Sequence, residues 1–308
     1  MILLVSPTGK YATHRLIEEA KKQHIPVAHF DVRDLAERNF NIDVEKYSTL
    51  YVRFPFPYIG QIVELAQKFV RAGKRVIDPS IARADVDFGK MKSYEMLYGS
   101  DIPTPLTLWF NEANFEYPYV VKWKHGFKGR HVYLVQGDAD RARLVEKYDP
   151  TELLSQEFIR AEYEWKVITV GYKSLPVVLR FKISESGFKP DLAHAEVYDC
   201  HSKIPSLPAQ GADAASNMQY SKFRKTRLVP ENDYQPGFQI GVRDDTIKSI
   251  SSLAESAAKI TGRELAKVDI LEAKGKFYVL EVNRWPGFES FESLSRYNVA
   301  KSFIEYLK

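Results

Sequence analysis

The chain has 308 residues, 44% hydrophobic and 13% aromatic, enough for one large core or several smaller ones, which excludes a disordered protein. Lys and Arg number 44 against 40 Asp and Glu, so the net charge of +4 is dispersed and gives no general nucleic-acid surface. A single cysteine, Cys200, excludes an internal disulfide, no apolar run approaches the roughly 20 residues that cross a bilayer, and the start reads as a strand, not a leader; the expectation is a cytoplasmic protein with no membrane partner.

Residues 2–5 read as a buried strand, 13–23 as an amphipathic helix, 26–30 and 50–54 as strands, 59–72 as a helix ended by Gly73, and 75–77 as a strand. The alternation predicts an open α/β unit with a mostly parallel sheet. Its first turn, Ser6-Pro7-Thr8-Gly9-Lys10-Tyr11, has neither the dinucleotide fingerprint nor the P-loop spacing. A helix is expected at 90–98, then the punctuated stretch Asp101-Ile102-Pro103-Thr104-Pro105 and short strands at 119–124, 132–135 and 153–159. Further strands are expected at 165–170, 177–183, 265–271 and 277–282, with a helix at 244–260 stopped by Gly262. Residues 184–241 are irregular and too long for a plain connection, which suggests a substrate-binding excursion or lid. Within them, Lys222-Phe223-Arg224-Lys225-Thr226-Arg227 reads either as a solvated loop or as a cleft edge that gathers an acidic substrate.

Near the C-terminal end, Val268-Asp269-Ile270-Leu271 and Tyr278-Val279-Leu280-Glu281-Val282-Asn283 flank a turn at Lys274-Gly275-Lys276. A hairpin there brings Asp269 near Glu281, and period two puts Glu281 and Asn283 on one face. The result is either three oxygen ligands suited to Mg²⁺ or solvated carboxylates on a sheet edge. The break Arg284-Trp285-Pro286-Gly287-Phe288 follows at once and favours a cleft, with Trp285 expected to line an acyl pocket and Trp109, Trp123 and Trp165 expected as core or wall residues. Lys122 ends an apolar strand before His125-Gly126-Phe127-Lys128-Gly129-Arg130-His131, where an ammonium can meet phosphate beneath a glycine-containing turn or simply be solvated. The two histidines there fit surface or packing roles better than catalytic ones. Ser155-Gln156-Glu157-Phe158-Ile159 reads as a strand crossing between subdomains that offers backbone groups to an adenine edge, with Glu164 placed for ribose hydroxyls, or as a buried strand followed by a surface acid. Cys200-His201 is not in metal-ligand spacing.

In this order and at these spacings the features resemble the ATP-grasp superfamily, and Glu281-Val282-Asn283-Arg284 with Pro286-Gly287-Phe288 resembles its RimK-type glutamate-ligase branch. The resemblance implies a mixed α/β and α+β architecture: a pre-ATP-grasp α/β domain over 1–85, a first ATP-grasp subdomain over 86–154 and a second over 155–308. It places Lys90, or Lys92 if the register slips, and Lys122 on the phosphates of ATP. Gly126, Phe127, Lys128 and Gly129 become the closing glycine loop, Gln156, Glu157, Phe158 and Ile159 the adenine linker, and Glu164 the ribose acid. Asp269, Glu281 and Asn283 become ligands of Mg²⁺, with Mn²⁺ as a substitute, and Arg180 holds the transferred phosphoryl group and the developing oxyanion. The implied activity is ATP-dependent joining of a carboxylate to an amine, from an amino acid, small peptide or protein tail, through an acyl phosphate with release of ADP and phosphate. Two other readings are a ligase that closes side-chain ester or amide links in a ribosomal peptide, and a non-catalytic nucleotide-binding regulator. The strand carrying Arg180 leads into the irregular stretch from Ser184 instead of a Gly- and Asn-containing segment, so the resemblance names no substrate. No nucleic-acid partner is expected, and a homo-oligomer is allowed.

Overall fold

Two strands buried at every position, β1 (Ile2–Val5) and β3 (Thr49–Val52), form the centre of a parallel sheet completed by β2 (Val27–Phe30) and β4 (Arg75–Val76) in the order β2-β1-β3-β4. Parallel neighbours need crossover connections, and the crossing helices cover both faces. On one face α2 (Ile59–Arg71) lays Ile62, Leu65, Ala66 and Phe69, one helical stripe, against Leu3, Val5, Leu50 and Val52. On the other, α1 (Tyr11–Lys22) brings Ala12, Leu16 and Ala20 to Ile2, Leu4 and Tyr51. The computed structural model describes residues 1–36, 42–126, 131–183, 190–199 and 244–308.

Next come α3 (Lys90–Tyr98) and an antiparallel sheet in the order β5-β8-β6-β7, made of β5 (Thr107–Trp109), β6 (Tyr119–Trp123), β7 (Val132–Val135) and β8 (Leu153–Glu157). Tyr119, Val121 and Leu153 pack with Leu144 of α4 (Asp138–Lys147), so alternation turns Val120, Lys122 and Gln156 to the opposite face. All of β8 pairs with β6, and this pairing puts 155–157 in the same sheet as residues 86–154, a few residues beyond the expected boundary.

A five-stranded sheet follows, β11-β10-β9-β12-β13, from β9 (Tyr163–Val170), β10 (Lys173–Ile183), β11 (Pro190–Asp199), β12 (Leu265–Ala273) and β13 (Lys276–Asn283). One face, with Trp165, Val167, Val178, Ala266, Val268 and Ile270, packs on α5 (Asp244–Ile260). The other carries Ile168, Leu179, Phe181 and Leu265 into a core shared with α1, α6 (Glu289–Ser295) and α7 (Val299–Leu307). The N-terminal sheet and the five-stranded sheet are therefore joined through one continuous apolar core. In β13 the register runs Asp269 to Glu281 and then Ile270 to Val279, so Leu280 is an extra residue, and Tyr94 Oη donates to its carbonyl at 3.0 Å. This bulge lets Val279 enter the α5-side core while Glu281 points to the opposite face.

Helices lie at the expected 90–98 and 244–260. Strand β5, strand β11 and helices α4, α6 and α7 are not among the expected elements. Helix α4 buries only Leu144 among its ten residues, β5 is three residues long, and α6 is only seven, so none of these three offers a clear period. No described helix is long and apolar enough to cross a membrane.

Phe303 is fully buried in the shared core, its ring edge-on to Phe288 at 5.4 Å. Phe303→Ala is expected to cost about 3–5 kcal/mol. Urea unfolding followed by tryptophan fluorescence and by far-UV circular dichroism should give coincident transitions, and two separated ones would show that the two sheets are not one folding unit.

Candidate active site

The face of the five-stranded sheet turned away from α5 presents alternate residues of three neighbouring strands: Glu164 and Lys166 of β9, Lys267 and Asp269 of β12, and Glu281 and Asn283 of β13. Asp269 stands opposite both Glu281 and Lys166, and Lys267 opposite Asn283. Asn283 Nδ2 donates to Asp269 Oδ2 at 3.1 Å, while the ammonium groups of Lys166 and Lys267 each lie 3.5 Å from Asp269 Oδ1. Lys166 also pairs with Glu164. From the facing side, Lys90 at the start of α3 pairs with Glu281, and Lys122 of β6 donates to Tyr94 Oη at 3.4 Å. Two sheets and the start of α3 thus bring four lysines and three carboxylates to one cleft.

Burial pulls the Lys122 ammonium down to about 8, against the attraction of Glu281, Glu164 and Asp269. Burial pushes Glu281 up, but Lys90, then Lys122 and Lys267, outweigh it and hold the carboxyl down at about 2. Its side chain is still 33% exposed, so proximity to the lysines dominates there. Burial raises Glu164, with Lys166 opposing and Asp269 adding to the rise. Lys166 is lowered by burial yet ends above its usual range because Asp269 and Glu164 stabilise its charge.

Among the described residues, Asp269 Oδ1 is buried without a hydrogen bond, and no three His, Cys, Asp or Glu side chains are grouped so that they alone could hold a metal ion. Two carboxylates and one amide oxygen suit a small hard ion that draws its remaining ligands from phosphate and water, so Asp269, Glu281 and Asn283 fit Mg²⁺.

Of the two candidate lysines, Lys90 pairs with Glu281 at the cleft, whereas Lys92 is exposed and pairs with Glu95 at 3.3 Å. Gln156 shares the cleft-side face of its sheet with Lys122, and its Nε2 donates to Thr107 Oγ1 at 2.8 Å. The Glu157 amide bonds Leu106 O at 2.8 Å, after which Phe158 and Ile159 cross toward β9, Ile159 packing with Leu271 and Tyr278. Gly126 closes the turn over Lys124 and His125, its amide donating to Trp123 O at 2.9 Å. Phe127, Lys128 and Gly129 lie outside the described residues, as do Cys200, His201 and the basic segment 222–227. The bland reading of the histidines agrees with His131 on Tyr148 Oη at 3.1 Å and His125 edge-on to Trp123.

Arg180 is not where the resemblance puts it. It pairs across the strands with Trp165, bonds Glu272 at 3.1 Å and lies over the Tyr163 ring, all on the α5 face, whereas its neighbour Phe181 lies under Lys166 on the charged face. Alternation separates Arg180 from Asp269 by the thickness of the sheet. Lys166 and Lys267 hold the place beside Asp269 instead. Their signal was available in period two, since one lies two residues after Glu164 and the other two before Asp269.

The whole chain superposes on ligases of known structure. The ATP-grasp ligase PsnB complexed with minimal precursor aligns over 99% of this chain and 98% of its own, with a TM-score of 0.66 and 14% identity. An ATP-grasp RimK domain protein from Sphaerobacter thermophilus aligns over 99% and 98%, at a TM-score of 0.62 and 16% identity. The architecture is the ATP-grasp fold, an α/β domain followed by two sheet-bearing subdomains. Residues 244–307 match the family model of the RimK-like ATP-grasp domain. A probable alpha-L-glutamate ligase of Legionella pneumophila (strain Corby) is 24% identical over 71% of this chain and 62% of its own length. Probable alpha-L-glutamate ligase 1 of Shewanella sp. (strain W3-18-1) is 33% identical over 27% of this chain, a stretch that spans 28% of that relative. The chain thus has the ATP-grasp fold, and its residues 244–307 are similar to the RimK-like ATP-grasp domain.

With Lys122 poised near 8, ADP affinity should weaken as pH rises through 8, because phosphate selects the protonated ammonium, and binding just above that pH should take up protons. Calorimetry in buffers of different ionisation enthalpy reads both effects. Lys122→Met is expected to bind ADP weakly at every pH and to lose the slope.

Proposed function

We propose that this chain is an ATP-dependent carboxylate–amine ligase that works through an acyl phosphate, with Mg²⁺ as its metal and Mn²⁺ as a substitute. The observation that carries the reading is the ion pair between Lys90 and Glu281, which sets a phosphate-type lysine at the start of α3 against a metal-type carboxylate of β13, beside Asp269 and Asn283. Lys90 would hold a phosphate oxygen of the nucleotide in place of Glu281, and Glu281 would hold the ion together with Asp269 and Asn283. Bound there, the ion neutralises charge on the phosphates. Lys90 and Lys122 hold the phosphates, Gln156 to Ile159 border the adenine, and Glu164 meets the ribose. Gly126, Phe127, Lys128 and Gly129 form the closing loop that excludes water. The substrate carboxylate attacks the γ-phosphorus and ADP leaves; the amine then attacks the acyl carbon and phosphate leaves. Such transfers are driven by position and positive charge, which lysines 90, 122, 166 and 267 supply without a covalent enzyme nucleophile. The presence of Lys90, Lys122, Asp269, Glu281 and Asn283 together at the cleft favours an enzyme over a nucleotide-binding regulator. The name of the curated relatives makes glutamate the first substrate to try.

The test is ADP release with pools of carboxylates and amines, run with hydroxylamine to trap an acyl phosphate as its hydroxamate. Hydroxamate and ADP should form in equal amounts, and ADP release without hydroxamate would sink the acyl-phosphate route. Glu281→Gln should lower turnover by about a hundredfold or more with the fold intact. Arg180→Gln, on the far face of the sheet, should leave ADP affinity within about twofold.

A further inference from the structure

Beside the charged face, four aromatic rings meet where the chain ties the two halves of the site together. Phe88 lies two residues before Lys90 and Trp285 two residues after Asn283, and their rings stand 5.3 Å apart. Phe54 and Phe56, just after β3, complete the group at 5.6 and 5.9 Å from Trp285. Two residues span at most about 7 Å, so the backbones of Phe88 and Trp285 lie within that reach of Lys90 and Asn283.

Ordinary core packing does not account for it. Phe54 and Phe56 are 37% and 46% exposed. Phe54 holds a φ of +51°, a left-handed conformation that bulky residues avoid and that collects at functional sites. The indole N–H of Trp285 is buried and meets no acceptor among the described residues, although a packing tryptophan normally finds one. The wall is nonetheless rigidly held. Buried Arg53 donates to Pro286 O and Tyr51 Oη, both at 2.8 Å, and Arg284 donates to Ser80 Oγ at 3.0 Å and Asp78 Oδ2 at 3.3 Å, which fixes the chain on both sides of Trp285. Both arginines are committed to internal partners and stand ill placed to receive a second carboxylate.

Resting on the ligase reading above, we infer that Phe54, Phe56, Phe88 and Trp285 bind the side chain of the acyl substrate, and that this side chain is aromatic or large and apolar, not acidic. A carboxylate that reaches phosphate held by Lys90 directs its substituent toward the residues flanking Lys90 and Asn283, which are Phe88 and Trp285. Calorimetry in the presence of Mg²⁺ and a non-hydrolysable ATP analogue, with 3-phenylpropionate, propionate, glutarate and phenethylamine as probes, tests this without turnover. Phenylpropionate should bind at least about tenfold more tightly than the other three. Phe56→Ala should bring it within about twofold of propionate while nucleotide affinity holds. Phe54→Gly, which removes a ring and suits the positive φ, is the second variant if the first disturbs the fold. Glutarate or phenethylamine binding as tightly as phenylpropionate, no binding of phenylpropionate, or full affinity in a folded variant would overturn the assignment. Because binding is read without chemistry, failure to release ADP with any substrate pair would count against the ligase reading alone.

Discussion

Three carboxylates and four ammonium groups share one partly dry cleft, and none is tolerable there by itself. Removing a buried charge from water costs several kcal/mol, which a well-placed partner offsets. Glu164 and Asp269 are met by Lys166, Asp269 also by Lys267, and Glu281 by Lys90. The last pair differs from the rest because it links different parts of the chain. In the ligand-free protein it draws α3 onto β13, so whatever binds between them must offer each charge a replacement. A nucleotide with its divalent ion offers both signs together, whereas a bare anion or a bare cation would leave one side uncompensated.

That exchange needs a frame that does not shift when the pair opens. The shared core between α1, α7 and the five-stranded sheet supplies part of it. A second tie runs from the end of β4 to the start of β12, where Asp78 and Glu264 each accept the other's backbone N–H, and Arg284 reaches Asp78 from beyond β13. Burial raises the Asp78 carboxyl to about 6, with Arg284 opposing, so burial outweighs the ion pair and the junction favours the protonated group. The N-terminal domain is thereby locked to the strands that carry Asp269, Glu281 and Asn283. Phe54 and Phe56 consequently keep a fixed position relative to Glu281.

Much of this was legible in the sequence because period and punctuation agreed. The Asp269, Glu281 and Asn283 group follows from one hairpin and a period of two, and Gly262 marks the end of α5. Arg180 was misplaced for the opposite reason: a family pattern assigns a residue to a strand, but the face it shows depends on parity with its neighbours, and Arg180 shares its face with Trp165. Lys166 and Lys267 were overlooked because lysines on strands are usually solvated, and only a neighbouring strand's Asp269 gives them meaning. Helices α6 and α7 escaped notice because their apolar residues serve a core assembled from distant parts of the chain.

The bulge at Leu280 has an evolutionary corollary. Val279 and Val282 serve a core that accepts other apolar residues of similar size, so substitution along β13 is comparatively free. Length is not. Loss of Leu280 would restore regular pairing and leave Val279 and Glu281 on their present faces, but it would remove the carbonyl that accepts from Tyr94 Oη and so untie α3, which carries Lys90, from β13. Lineages carrying this site are thus expected to drift in letters along β13 while keeping the extra residue that anchors α3.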